Sequence, residues 1–130
     1  MSEAGKSDSK RSHVQVTEIS NEEELATVLE DAGDKLVVID FFADWCFPCK
    51  LISPFVLDLA RTHTDVIFVK VDIDESDEIV ERYEIRSIPA FVFIKSGRKL
   101  DSITGANYDL LTKKVAQHKI QAATEEISIL

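Results

Sequence analysis

Asp40-Phe41-Phe42-Ala43-Asp44-Trp45-Cys46-Phe47-Pro48-Cys49-Lys50 is the stretch that decides the reading of this chain. It begins inside an apolar run, Leu36 to Phe42, of the kind buried on both faces of a sheet. It then passes into a helical pattern from Asp44 to His63 that carries Pro54 inside it and therefore a kink. Two cysteines separated by two residues thus fall where a strand ends and a helix begins. There the first sulfur, Cys46, lies near unpaired backbone N–H groups and the positive end of the helix dipole. Both favour thiolate over thiol, and thiolate is the attacking species in disulfide exchange. Cys49 is one turn on, on the same face, within reach of Cys46. Pro48 stiffens the turn between them.

Other chemistries for the pair fare worse. A zinc site needs four ligands, and beyond the two cysteines only His13, His63 and His118 remain, without ligand spacing. An iron–sulfur cluster would need thiolates from a second chain. A purely structural disulfide closing one helical turn would constrain little chain.

Outward from this segment the elements alternate. Val14, Val16 and Ile19 suggest a short strand, and Ser20-Asn21-Glu22-Glu23 reads as a capping box opening a helix that ends near Gly33. Val66 to Val71 reads as a second apolar strand and Glu75 to Tyr83 as a short helix. Phe91 to Ile94 and Leu100 to Thr104 flank Ser96-Gly97-Arg98-Lys99 as an antiparallel hairpin. A helix from Tyr108 to about Ala122 closes the chain. The expected order is β-α-β-α-β-α-β-β-α, an α/β fold with a central mixed sheet covered on both faces. In such sheets chemistry sits at the carboxyl ends of the parallel strands, where Cys46 lies. Residues 1–12 read as a disordered N-terminal extension, 13–122 as one domain and 123–130 as a C-terminal tail.

Asp40 is anomalous in its strand. Strand parity puts it on the face of Val38 and Phe42, six residues before Cys46. A carboxylate there must titrate high or find a partner. It reads either as a buried proton acceptor for Cys49 or as a solvated, edge-facing Asp. Lys70, in Val69-Lys70-Val71, reads as its natural ionic partner or as a snorkelling surface lysine. Pro89, in Ile88-Pro89, reads as a turn proline at a strand entrance or as a cis bond presenting backbone to a peptide. His63 reads as a solvated residue at a helix end. The run Asp72-Ile73-Asp74-Glu75-Ser76-Asp77-Glu78 fails as an EF-hand loop, since Asp77 stands where Gly is needed and Tyr83 where Glu is needed; it reads as an acidic first helical turn.

The chain of 130 residues carries 15 Lys and Arg against 24 Asp and Glu, a net charge of -9, which disfavours nucleic acid and anionic membrane surfaces as partners. With two cysteines at this spacing, and an N-terminal stretch lacking an apolar signal core, the expected address is cytoplasmic and reducing.

From about Val14 to Ala122 the sequence resembles thioredoxin. The match comprises Asp40 to Cys46, then Pro48-Cys49-Lys50, Pro54, Lys70-Val71-Asp72-Ile73-Asp74, Ile88-Pro89 and Gly105-Ala106, in that order. The resemblance implies a protein-disulfide reductase with Cys46 as nucleophile, Cys49 as resolving thiol, and Asp40 and Lys70 handling protons. It implies a cis-proline at Pro89 and an apolar substrate groove of Trp45, Ile88, Gly105 and Ala106, to which Phe47 and Pro48 add contact surface. The Cys46–Cys49 disulfide would itself be the redox group, with no separate cofactor. The implied partners are an NADPH-dependent flavoenzyme reductase as electron donor and disulfide-containing proteins such as peroxiredoxins as substrates, with the chain a monomer. Phe47 stands where thioredoxins usually have Gly, and Ala90 where they usually have Thr after the proline; both bear on substrate range. A specialised tryparedoxin-like donor and a thioredoxin-fold interaction module with incidental thiols are the alternatives.

Overall fold

A computed structural model describes residues 16–129, with side chains described to Ile120. The expected 1–12 extension and Val14 lie outside the described residues. Strand β1 (Thr17–Ile19) leads to helix α1 (Glu22–Ala32), then β2 (Leu36–Phe42), α2 (Phe47–Thr62), β3 (Ile67–Asp72), α3 (Asp77–Arg82), β4 (Ala90–Lys95), β5 (Arg98–Thr104) and α4 (Tyr108–Ile129). The order is the one expected from the sequence. The helix expected to end near Ala122 runs on to Ile129.

The strands form one mixed sheet in the order β1-β3-β2-β4-β5. β1, β3 and β2 are parallel, while β4 and β5 are antiparallel additions. β2 is therefore central, which explains its apolar sequence: each face must meet a helix layer. On one face Val37, Ile39 and Phe41 pack with Val69 and Val71 against Leu25 of α1 and Ile79 of α3. On the other, Leu36 and Val38 pack with Phe91 and Phe93 against Ile52, Val56 and Leu59 of α2 and Leu111 and Val115 of α4. Alternate residues of β2 thus reach two separate cores, and Asp40 shares its face with the second.

The hairpin is tighter than expected. Only Ser96 and Gly97 form the loop, both with positive φ (52° and 77°), the geometry that suits the right-handed twist of two paired strands. The cap of α1 also moves. Asn21, not Ser20, is the N-cap, its Oδ1 accepting from Glu24 N–H at 2.8 Å, while Ser20 N–H donates to Glu24 Oε1 at 2.8 Å. The cause is tertiary: the Ser20 carbonyl accepts from the Ser76 hydroxyl at 3.0 Å, which holds it outside the helix. The acidic run Asp72–Glu78 is likewise not one helical turn. Asp72 ends β3, where its Oδ1 accepts from Asp74 N–H, and only Asp77 and Glu78 enter α3. His63 caps the end of α2 as expected but is half-buried rather than solvated, its Nδ1 3.0 Å from Lys119 Nζ, tying α2 to α4.

Candidate functional site

The carboxyl ends of β2 and β3 meet the start of α2, and Ile73 N–H donates to the Phe42 carbonyl to hold the two strand ends together. Ala43, Asp44 and Trp45 bridge β2 to α2, and Cys46 is the helix N-cap. Cys46 and Cys49 are joined as a disulfide across a Cα–Cα distance of 5.3 Å. Cys49 N–H donates to Cys46 Sγ at 3.3 Å, so the first sulfur occupies the acceptor position of a helix cap, as expected from the strand-to-helix junction. Pro48 takes the second helical position, where no N–H is needed.

A nucleophile at a strand-to-helix junction is expected to be the exposed thiol of the pair, but the two cysteines are buried alike, at 4% and 6% exposure, among Ala43, Phe42, Ile73 and Ile88. What separates them is direction. Cys49, and not Cys46, lines a solvent-open cavity of about 170 Å³ together with buried Asp40 and Ala43, half-buried Phe42 and Lys70, and exposed Asp44, Lys50 and Ser53.

Asp40 is buried at 8% exposure, so the solvated reading fails. Its Oδ1 has no hydrogen-bond partner among the described residues. Burial pushes the carboxyl up to about 7, against the opposing pull of the Lys70 ammonium. Lys70 stands directly across from Asp40 in the β2–β3 register, yet the two do not close into an ion pair among the described residues. Lys70 Nζ lies instead 5.4 Å from the centre of the Phe42 ring, and the residue is half-buried, as a lysine sending its stem along an apolar surface would be. A neighbouring cavity of about 210 Å³ is also lined by Asp40, Ser53 and Lys70. Ser53 carried no sequence signal; it reaches this place because it lies one turn beyond Cys49 on α2.

The remaining expected residues gather around the disulfide. Ile88 packs against the cysteine cluster, and the Ile88–Pro89 bond is cis. Gly105 N–H donates to the Pro89 carbonyl at 2.8 Å, bringing the Gly105-Ala106 loop to the same place; Gly105 has φ 96°, a conformation open to glycine. Trp45 and Phe47 are exposed at 67% and 66%, and Pro48 is exposed. Trp45 Nε1 donates to Asp74 Oδ2 at 2.9 Å. Sequence reasoning missed Asp74 as a partner of Trp45, since the two are 29 residues apart; Asp74 read only as part of an acidic first helical turn.

The family model of thioredoxin matches residues 15–117. The chain belongs to the thioredoxin family. A thioredoxin of the sponge Geodia cydonium is 51% identical over 92 residues, 70% of this chain and 87% of the relative. The structure of Fasciola hepatica thioredoxin superposes with a TM-score of 0.79 at 36% identity, covering 80% of this chain and 100% of that one. A structure solved for the thiol-resolving mechanism of yeast mitochondrial 1-Cys peroxiredoxin via glutathione/thioredoxin systems superposes at 0.73 and 35% identity, covering 78% of this chain and 94% of that one. With the Cys46–Cys49 pair in place, the chain is a thiol–disulfide oxidoreductase of the thioredoxin fold.

Proposed function

We propose that this thioredoxin works as a reductase of protein disulfides, with Cys46 as nucleophile and Cys49 as resolving thiol. The observation that carries the reading is the asymmetry of the pair: Cys46 Sγ sits at the helix cap, whereas Cys49 faces the cavity that holds Asp40. In the reduced protein the cap N–H and the helix dipole stabilise a Cys46 thiolate. That thiolate attacks one sulfur of a substrate disulfide, forming a mixed disulfide and releasing the other sulfur as a thiolate that takes up a proton. Asp40, with a carboxyl near 7, accepts the proton of the Cys49 thiol. The Cys49 thiolate then attacks Cys46 Sγ, the second substrate thiol departs, and the Cys46–Cys49 disulfide forms. Two electrons pass from the pair to the substrate, so no further cofactor is called for.

Lys70, across from Asp40, moderates the rise in the carboxyl's affinity for a proton. Trp45, Phe47, Pro48, Ile88, Pro89, Gly105 and Ala106 form the surface that meets the substrate. Peroxiredoxins are a fitting substrate class, given the likeness to a structure from a peroxiredoxin–thioredoxin study. The reading includes an NADPH-dependent flavoenzyme as electron donor, a monomeric state and a cytoplasmic address, for which the family resemblance and the composition are the support. No helix among the described residues is long and apolar enough to cross a membrane. The test is insulin reduction with dithiothreitol, then with NADPH and a thioredoxin reductase. Turnover in both supports the reading. A folded protein without turnover in the first would make the chain an interaction module, and turnover in the first alone would point to a specialised donor.

A further inference from the structure

Beyond the residues that ring the disulfide, α2 carries an apolar stripe on its outward side. Phe47, Leu51 and Phe55 follow at intervals of four residues, which places them along one helix face. Leu51 is 55% exposed and Phe55 43%, although the opposite face of α2 already fills the core with Ile52, Val56 and Leu59. At the far end Phe55 meets Tyr108 at the start of α4, ring centres 4.5 Å apart, and Tyr108 is itself 36% exposed. The stripe thus begins beside Cys46 and ends at α4.

We infer that Leu51, Phe55 and Tyr108 dock an apolar segment of the substrate protein flanking the attacked disulfide. The inference rests on the reductase reading and extends it to substrate choice. Its geometric basis is continuity with the thiol. A substrate sulfur must come into bonding contact with Cys46 Sγ, so the partner's surface has to lie over the N-terminal end of α2. Even a small redox interface covers about 600 Å² per partner, a disc of roughly 14 Å radius. From Phe47 to Phe55 the helix rises about 12 Å. A footprint of that size centred on Cys46 reaches the far end of the stripe, and a segment of about four extended residues beyond the partner's cysteine spans it. A second copy of this chain is disfavoured as the occupant, because each copy carries a net charge of -9.

Two synthetic peptides carrying the same disulfide loop and the same net charge test this. One bears Leu, Phe and Val in the four residues beyond the loop, and the other bears Ser and Gln there. The full chain should reduce the apolar peptide with a kcat/KM about fivefold higher, the value expected for part-burial of one or two such side chains. Leu51→Gln keeps helix propensity and should erase the preference, while reduction of the polar peptide continues unchanged. Phe55→Gln added to Leu51→Gln serves as the second variant, with circular dichroism to verify folding. Equal rates on both peptides in the native chain would overturn the docking, as would a preference that survives in the folded double variant. Failure to reduce either peptide, and oxidised glutathione as well, would instead remove the reductase reading and the docking with it. A concentration-dependent dimer in sedimentation velocity that Leu51→Gln abolishes would assign the stripe to self-association and overturn the inference.

Discussion

Replacing Asp40 by Asn tests the buried carboxyl through two independent readouts. In the unfolded chain the group ionises near 3.8, whereas in the fold burial holds its proton until about 7. Between these values the native state carries one proton more than the unfolded state, so its stability falls as pH rises, by about 1.4 kcal/mol per pH unit from this group. Over the interval the loss amounts to about 4 kcal/mol and levels off above pH 7. Asn keeps the shape but does not titrate. The stability difference between Asp40→Asn and the native chain should therefore grow in favour of the variant from pH 4 to pH 8, whatever constant offset the amide introduces. Urea denaturation of both proteins across that range measures it, and the other carboxylates cancel in the difference. Turnover should move the other way. A fully aligned general base contributes about 100-fold or more, but Asp40 Oδ1 makes no hydrogen bond among the described residues and only shares a cavity with Cys49, so a loss of about tenfold in insulin reduction is expected. Stability curves that run parallel from pH 4 to pH 8 would refute the elevated titration, and unchanged turnover would refute the proton-accepting role.

Phe47→Gly should lower rates on some protein disulfides by about tenfold, the cost of losing an anchoring aromatic of about 1–2 kcal/mol, while leaving reduction of oxidised glutathione unchanged; a uniform change across two protein disulfides and the small one would mean that the ring shields the thiols instead. Asp74→Ala removes the acceptor of Trp45 Nε1 and should raise KM for insulin with little change in thermal stability, since the bond is exposed and worth about 1 kcal/mol; steady-state kinetics with a melting curve separates the two effects. Phe93→Ala, at a fully buried position on the face of β4 that packs against α2 and α4, should cost about 3–5 kcal/mol in urea unfolding.

The parts of this structure legible in the sequence are those set by period and by chemistry within one segment. An apolar run too short for most helices and followed by Cys-Phe-Pro-Cys yields β2, the helix start and the N-cap sulfur without tertiary knowledge. The Asp40 flanks pointed toward burial but left a solvated, edge-facing position open, and the central place of β2 in the sheet closed it. What escaped depends on contacts distant in the chain. The α1 cap shifts by one residue because Ser76, 56 positions away, takes the Ser20 carbonyl. Asp74 and Ser53 join the site through packing of β3 and α2 around β2. The equal burial of Cys46 and Cys49 is also tertiary, since Ile73 and Ile88 come from other segments to cover both. The Phe47-Leu51-Phe55 spacing was visible, but only the structure shows that the described residues leave this face of α2 uncovered.

The division of labour within the pair is the central claim, and trapping tests it most directly. Cys49→Ser and Cys46→Ser proteins, reduced and then mixed with insulin or a disulfide-bonded peroxiredoxin, are analysed by intact mass under non-reducing conditions. The account predicts a stable mixed disulfide on Cys46 in the Cys49→Ser protein and little or none in the Cys46→Ser protein, because only Cys46 sits at the helix cap. Adducts accumulating on Cys49 in the Cys46→Ser protein, with Cys46 unmodified in its counterpart, would contradict it.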